Sequence, residues 1–478
     1  MNAQIVKLFG FFVVLFALLI VFTTRWTVID ATALNNNKLN HRTIDIELKI
    51  KRGRILAANG EPLARSVPKQ GGGWSRAYPQ GSLFAQTVGY WTGEAGNAAG
   101  LEVTRNKALE GLHSQLSSIF GPLSSGPQVG DDVYTTLDPK AQEVARQQLA
   151  GRAGSVVALD PRTGAVLAMY SNPSYDDNHP SAPCIAGAVA CQLDRATQGR
   201  YPPGSTFKIV AAAAAINTGK YSPNSLINGD SPKLISGFPL HNDGNQSWGP
   251  VTLTKALTYS INTVWAQVAQ NVGRPTMTAY MKRFGFYAQP PIDLPSNEVG
   301  TSRPYDFKGR AYPPGSPNED IGRMGIGQGG LLVTPLQMAM VASAVADHGT
   351  LMTPRLTDKV VDQTGKTVET IAPTVYHQVM TPAVASEITQ MMRTVVDEGT
   401  GTPAQLGSGI AFAGKTGTAS IGPTGANETQ PWFIGFAPAG APQVAVAVTI
   451  EKTVGGFGGQ VAAPIAKQVV QTLLAEGK

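Results

Sequence analysis

The sequence predicts an α+β fold: an antiparallel five-stranded sheet covered by helices, a helical lobe beside it, and a small α+β domain ahead of it. Three observations carry that expectation. The stretch "GSVVALDPRTGAVLAMYS" sets two apolar runs on either side of the short turn Asp160-Pro161-Arg162-Thr163-Gly164. Strands that are apolar along their whole length need cover on both faces. The chain from Thr206 to about Phe286 reads as helical, and the strand-like runs "GIAFAGKTGTA", "PWFIGFAP" and "QVAVAVTIEK" return before a last helix, "VAAPIAKQVVQTLLAEG". Hairpin-connected strands make the sheet antiparallel, helices on its faces bury it, and the middle helices form their own lobe.

At the N-terminus, Leu8 to Phe22 ("LFGFFVVLFALLIVF") carries no charge. Ile5 and Val6 extend the run, since the Lys7 side chain can reach the membrane interface. Its length is at the short end for a spanning helix and the long end for a secretory signal. The small-residue motif Ala31-Thr32-Ala33 lies well past the apolar end. Residues 1–26 therefore read as a short cytoplasmic end and an uncleaved signal anchor. The rest of the chain is expected outside the cytoplasm, with Lys7 and the amino terminus set against Arg25.

Residues 27–150 read as a non-catalytic pedestal or interaction domain. "RGRILAANGEPLA" (Arg52 to Ala64) is strand, Asn-Gly turn, strand. Pro122 to Asp132 is a loop or linker. "LDPKAQEVARQQLAG" is a helix capped by Asp138, with Pro139 at its first position and Gly151 at its end. The net charge of +6 is spread along the chain with no Lys/Arg block, so a nucleic-acid partner is not expected. The six histidines are scattered singly, and Cys184 and Cys191 do not have zinc spacing, so neither metal nor cofactor is expected. Outside the cytoplasm those two cysteines suit a local disulfide; two buried thiols are the alternative. "GGFGG" (Gly455 to Gly459) matches no full phosphate-binding fingerprint and reads as a flexible loop bordering a site. Trp432 and Phe433 read as core at a strand start.

Residues 151–478 carry the chemistry. In "YPPGSTFKIVAAAAAIN", Pro203 and Gly204 introduce a helix that the alanines favour and allow to be buried. Ser205 and Lys208, three apart, share a face. Lys208 can take the Ser205 proton only if burial or a nearby cation keeps it neutral. The helix N-terminus favours the oxyanion that would form there. The stretch thus looks built for an activated serine. A lone Ser-x-x-Lys is ordinarily surface decoration, and "SVPK" (Ser66 to Lys69) repeats the spacing around a proline. Companions decide the matter. Of three Ser-x-Asn pairs, Ser222/Asn224 and Ser316/Asn318 read as loops, and Ser260/Asn262 lies in a helical stretch. Ser260 there can relay a proton between Lys208 and a leaving amine, and Asn262 can hold Lys208 and a substrate amide. Lys-Thr-Gly occurs once, Lys415 to Gly417, on a predicted strand. Glycines around Lys415-Thr416 let a ligand backbone approach, and the strand can pair with an extended peptide. Lys415 supplies a cation. Thr416 and Thr418 can hold a carboxylate. The backbone N–H groups of Ser205 and Thr418 would form the oxyanion hole.

These three motifs, in this order, make the chain similar to penicillin-binding proteins and serine β-lactamases. "RGRILAANGEPLA", "AYPQGSLFAQTVGY", "AGLEVTRNKALEG", "TLDPKAQEVA" and "GIGQGGLLVTPLQMA" resemble class B penicillin-binding proteins from about Arg52 to the C-terminus, most closely their actinobacterial branch. The resemblance implies a penicillin-binding transpeptidase domain and an acyl-enzyme on peptidoglycan stem peptides. A D-Ala-D-Ala donor acylates the serine, the terminal D-Ala leaves, and an amine of a neighbouring peptide resolves the ester as a 4→3-type cross-link. β-Lactams imitate the donor. The segment before residue 150 is too short for a glycosyltransferase domain, so a separate glycosyltransferase and other division or elongation proteins are the expected partners. Ile261, in the middle of the Ser-x-Asn motif, departs from the Asp of one β-lactamase class. Two rivals stay open: a β-lactamase or D,D-carboxypeptidase passing the acyl group to water, and a non-catalytic β-lactam sensor or scaffold.

Overall fold

The computed structural model describes residues 2–30, 48–94, 97–112, 129–184, 190–407, 409–421 and 427–477. Ala31-Thr32-Ala33 and most of the Pro122–Asp132 linker lie outside them. Helix α1 (Asn2–Thr24) runs on through a π-helical turn, Arg25–Ile29. Among the described residues it is the one helix long and apolar enough to cross a membrane, and none of its apolar surface is covered by the rest of the chain.

The first sheet begins with β1 (Ile55–Leu56), β2 (Pro62–Pro68), β3 (Trp74–Ala77) and β4 (Asp132–Thr135). β1 and β2 join through the expected Asn59-Gly60 turn, where Gly60 takes φ 85°. Helix α2 (Pro139–Leu149) follows, its N-terminus capped by the Asp138 carboxylate, which accepts from the Lys140 and Ala141 N–H groups. The second sheet opens with β5 (Gly154–Leu159) and β6 (Val166–Asn172). Then come α3 (Lys208–Asn217), α4 (Leu253–Thr258), α5 (Asn262–Val272) and α6 (Pro335–Ala346). A hairpin, β7 (Thr357–Val361) and β8 (Thr367–Thr370), returns to the first sheet and extends it to the order β8-β7-β4-β1-β2-β3. Helix α7 (Pro382–Asp397), β9 (Ala413–Ile421), β10 (Glu428–Ala437), β11 (Val444–Ile450) and α8 (Ala463–Ala475) complete the chain.

The second sheet has the order β9-β10-β11-β5-β6 and is antiparallel throughout, with a short strand, Thr453–Val454, added to β10. Every residue of β11 and β5 is buried. Helix α6 packs against β5, β10 and β11, while α8 packs against β10, β11 and β5, and α2, which backs it, packs against β6. Apolar strands covered on both faces are what the sequence predicts. Strand β9 is left at the edge, where the catalytic motifs meet.

Two parts depart from the sequence reading. Residues 219–252 hold short hairpins rather than helix, because Pro223, Pro232, Pro239 and Pro250, with Gly229, Gly237, Gly244 and Gly249, interrupt it. Ser260 does not lie within a helix. It sits in the break between α4 and α5 with φ 57°. Beside the first sheet, a buried ion cluster accompanies the apolar core of Ile55, Leu63, Leu101 and Val133. Glu102 is fully buried between Arg52 (3.0 Å) and Arg76 (2.6 Å), and Arg52 also reaches Glu110 (3.2 Å). Burial pushes the Glu102 carboxyl up, and the two guanidinium groups override it and hold it below the ordinary value.

Candidate active site

The nucleophile motif opens with a single 3-10 turn, Gly204–Phe207, before α3 begins at Lys208. Gly204 takes φ 53°, and a Cβ there would lie 3.0 Å from the Thr418 backbone. The motif can approach β9 this closely only with glycine at 204. Gly204 N–H donates to Gly327 O at 3.1 Å, and a Cβ on Gly327 would come within 2.0 Å of Gly204 O. Upstream, Tyr201 and Val333 exchange two backbone hydrogen bonds, and Trp432 Nε1 donates to Pro202 O at 3.0 Å. Trp432 and Phe433 are fully buried within β10. The turn is therefore held from three sides. Along α3 every residue from Lys208 to Ile216 is buried against α5, α7 and the helix Arg274–Arg283, which only small side chains allow at such close spacing.

Four of the predicted side chains converge. Lys208 Nζ lies 2.8 Å from Ser260 O, 2.8 Å from Asn262 Oδ1 and 3.1 Å from Ser260 Oγ. Lys415 Nζ lies 3.0 Å from the same Ser260 Oγ and donates to Thr416 O at 2.9 Å. Both lysines are fully buried. Burial first, then the charge of Lys415, holds the Lys208 amine well below the ordinary lysine value, and Asp243 opposes them. Burial lowers Lys415 to about 7. Ser205 is half-buried, and its hydroxyl has no hydrogen-bond partner among the described residues. The break at Ser260 aims its hydroxyl between the two amines while Asn262 starts α5.

Strand β9 carries the third motif. Lys415 pairs with Ile434, Gly417 with Trp432 and Thr418 with Pro431 across the β9–β10 ladder. A Cβ on Gly417 would fall 2.8 Å from Pro203 O. Thr416 Oγ1 is 2.6 Å from Thr400 Oγ1, and Thr418 Oγ1 accepts from Gly458 N–H at 3.1 Å. Accepting there leaves the Thr418 hydroxyl proton available to an anion. The "GGFGG" stretch borders the site as expected, but Gly458 opens a short helix, Gly458–Val461, instead of continuing a loop.

The remaining candidates lie elsewhere. Cys184 and Cys191 form a disulfide, and Cys191 packs with Ala85 and Tyr175 beside the first unit. Ser66, of the second Ser-x-x-Lys, donates to Arg52 O on the first sheet. Ser222/Asn224 and Ser316/Asn318 are in loops. Sequence reasoning missed Asn242, Gly327, Thr400 and Tyr201. The first three carry no periodic signal. Tyr201 OH donates to the Glu451 carboxylate, a partner 250 positions away.

Comparison with known proteins identifies the family. The profile of the penicillin-binding protein transpeptidase domain matches residues 154–471, and that of the penicillin-binding protein A dimerisation domain matches residues 52–124. The chain is 32% identical to the peptidoglycan D,D-transpeptidase PbpA of Mycolicibacterium smegmatis, covering 100% of both chains. It is 30% identical to the peptidoglycan D,D-transpeptidase MrdA of Acinetobacter baumannii over 82% of this chain and 65% of that one. A structure of penicillin-binding protein A from M. tuberculosis, as a ceftriaxone acyl-enzyme complex, superposes with a TM-score of 0.79 at 28% identity, covering 90% of this chain and 100% of that one.

Proposed function

The chain belongs to the penicillin-binding protein transpeptidase family, and from that premise we propose how its residues divide the work of a peptidoglycan D,D-transpeptidase. The enzyme cross-links stem peptides through a serine acyl-enzyme and is acylated by β-lactams. The observation that carries the assignment of roles is the pair of buried lysines sharing one serine hydroxyl.

Lys208 in its neutral form has two N–H donors and one lone pair. Ser260 O and Asn262 Oδ1 can only accept, so they take the two protons. The lone pair is left for a hydroxyl proton. Ser205 Oγ gives its proton to Lys208 and attacks the penultimate D-Ala carbonyl of the donor. The N–H groups of Ser205 and Thr418 stabilise the oxyanion. Ser260 passes the proton to the leaving D-Ala amine. Lys415, Thr416 and Thr418 bind the donor carboxylate, and Gly417 lets the peptide lie along the open edge of β9. An acceptor amine then resolves the ester by the reverse proton path.

Glycan polymerisation falls to a separate glycosyltransferase, and the first unit serves protein contacts during wall growth and division. The dimerisation-domain match supports a protein-contact role for the first unit. Helix α1 anchors the chain in the cell membrane as a single pass, with the catalytic unit outside the cytoplasm. The Cys184–Cys191 disulfide supports an oxidising compartment. The test is to incubate the full-length protein in detergent with pentapeptide-bearing peptidoglycan, and to follow D-Ala release and cross-linked dimers. Both should appear, and Ser205→Ala should abolish both. Release of D-Ala with no dimers would make it a carboxypeptidase.

A further inference from the structure

The segment between residues 229 and 250 is built against the second motif. Its Asn242 is buried and tied on three sides: Oδ1 accepts from Thr263 N–H at 2.9 Å, and Nδ2 donates to Gly229 O and Gln246 O, each at 2.9 Å. The preceding carbonyl, His241 O, accepts from Asn262 Nδ2 at 3.3 Å. A tight turn follows, Asp243–Asn245, with Gly244 at φ 58° and Asn245 at φ 55°. Asp243 is thus fixed one residue from a group bonded to the first turn of α5 and two from a carbonyl bonded to Asn262. Its own side chain is exposed. Its carboxylate opposes the depression of the Lys208 amine.

A transpeptidase must bring a second substrate to the acyl-enzyme, and that substrate is an alkyl amine. Such an amine is an ammonium at neutral pH. Lys415 already brings a positive charge into the interior, so a second cation is repelled unless an anion stands at the entrance. Resting on the transpeptidase reading above, we propose that Asp243 is the acceptor-selecting residue, binding the incoming ammonium at the mouth of the site. The nitrogen then sheds two protons as it becomes an amide. One passes through Lys208 to Ser205 Oγ as the ester C–O bond breaks and the C–N bond forms. The other leaves to solvent past Asp243. Water, the competing acceptor, gains nothing from this carboxylate.

The experiment measures partition of one acyl-enzyme. Full-length protein in detergent is given an acyl-D-alanyl thioester donor with glycinamide, a cationic acceptor, or hydroxylamine, largely uncharged at neutral pH. The ratio of amide to hydrolysed product does not depend on how fast the acyl-enzyme forms. Asp243→Asn should lower that ratio about fivefold for glycinamide, the size of an exposed charge pair, and leave it unchanged for hydroxylamine. Asp243→Glu should restore it. An equal ratio in wild type and Asp243→Asn with glycinamide overturns the inference alone. So does an equal loss with both acceptors, which marks a structural effect. A wild type that yields only hydrolysis with every amine overturns the transpeptidase reading and the inference with it.

Discussion

Replacing Lys415 with Gln should move the pH dependence of acylation, and the structure sets the size of the move. The Lys208 and Lys415 amines lie 3.1 and 3.0 Å from one oxygen, Ser260 Oγ, and are therefore at most about 6 Å apart. At that separation and an effective dielectric near 20, two unit charges repel by about 3 kcal/mol, a hundredfold in proton affinity. Lys415→Gln removes the repulsion and keeps a polar group of similar length. Lys208 then holds its proton to a higher pH, and the base is lost over that interval. Burial, the larger cause of the Lys208 depression, remains. The assay is the second-order rate constant for acylation by benzylpenicillin from pH 5 to 10, which reports the groups of the free enzyme. Wild type should show an alkaline limb at about 7 from Lys415. Lys415→Gln should lose that limb and shift the acid limb upward. A uniform fall in rate with the acid limb unmoved would refute the reasoning, and would leave Lys415 as a carboxylate-binding group only.

Gly327→Ala places a Cβ within 2.0 Å of Gly204 O, so the nucleophile turn must shift; acylation should fall about a hundredfold, read as the benzylpenicillin rate on a folded variant. Glu102→Gln takes from buried Arg76 its carboxylate partner, leaves Arg52 with Glu110 alone, and should cost about 3–5 kcal/mol in denaturant unfolding. Because the folded Glu102 carboxyl sits below its ordinary value, its contribution is present above the unfolded pKa and is lost as pH falls through the folded one. The lysines behave differently: both titrate below ordinary lysine in the fold, so between pH 7 and about 10 the unfolded chain holds protons that the folded chain lacks. Unfolding free energy should therefore rise with pH across that window, and thermal melts of Lys415→Met should show a flatter rise.

Local chemistry was the legible part. The apolar runs of β5, β9, β10 and β11 declare a sheet covered on both faces, and Asp138-Pro139 declares the start of α2. The three motifs declare the site because each needs its residues close in sequence. What was not legible depends on distant partners. Asn242 is an ordinary loop residue until Thr263 and Gly229 surround it. Gly327 matters only because Gly204, some 120 positions earlier, packs on it. The helix-forming residues around Ser260 hide a break that only its φ of 57° reveals. The sequence of the hairpin β7–β8 carries no sign of the sheet it joins, since its partner strand β4 lies more than 200 residues away.

The central claim is that Ser205 becomes a stable ester. Intact mass of the full-length protein in detergent, followed for hours after mixing with benzylpenicillin, tests it directly, with Ser205→Ala alongside. The account predicts one lasting adduct per chain in wild type and none in Ser205→Ala. A folded wild type with no adduct, or an adduct that persists in Ser205→Ala, would contradict it.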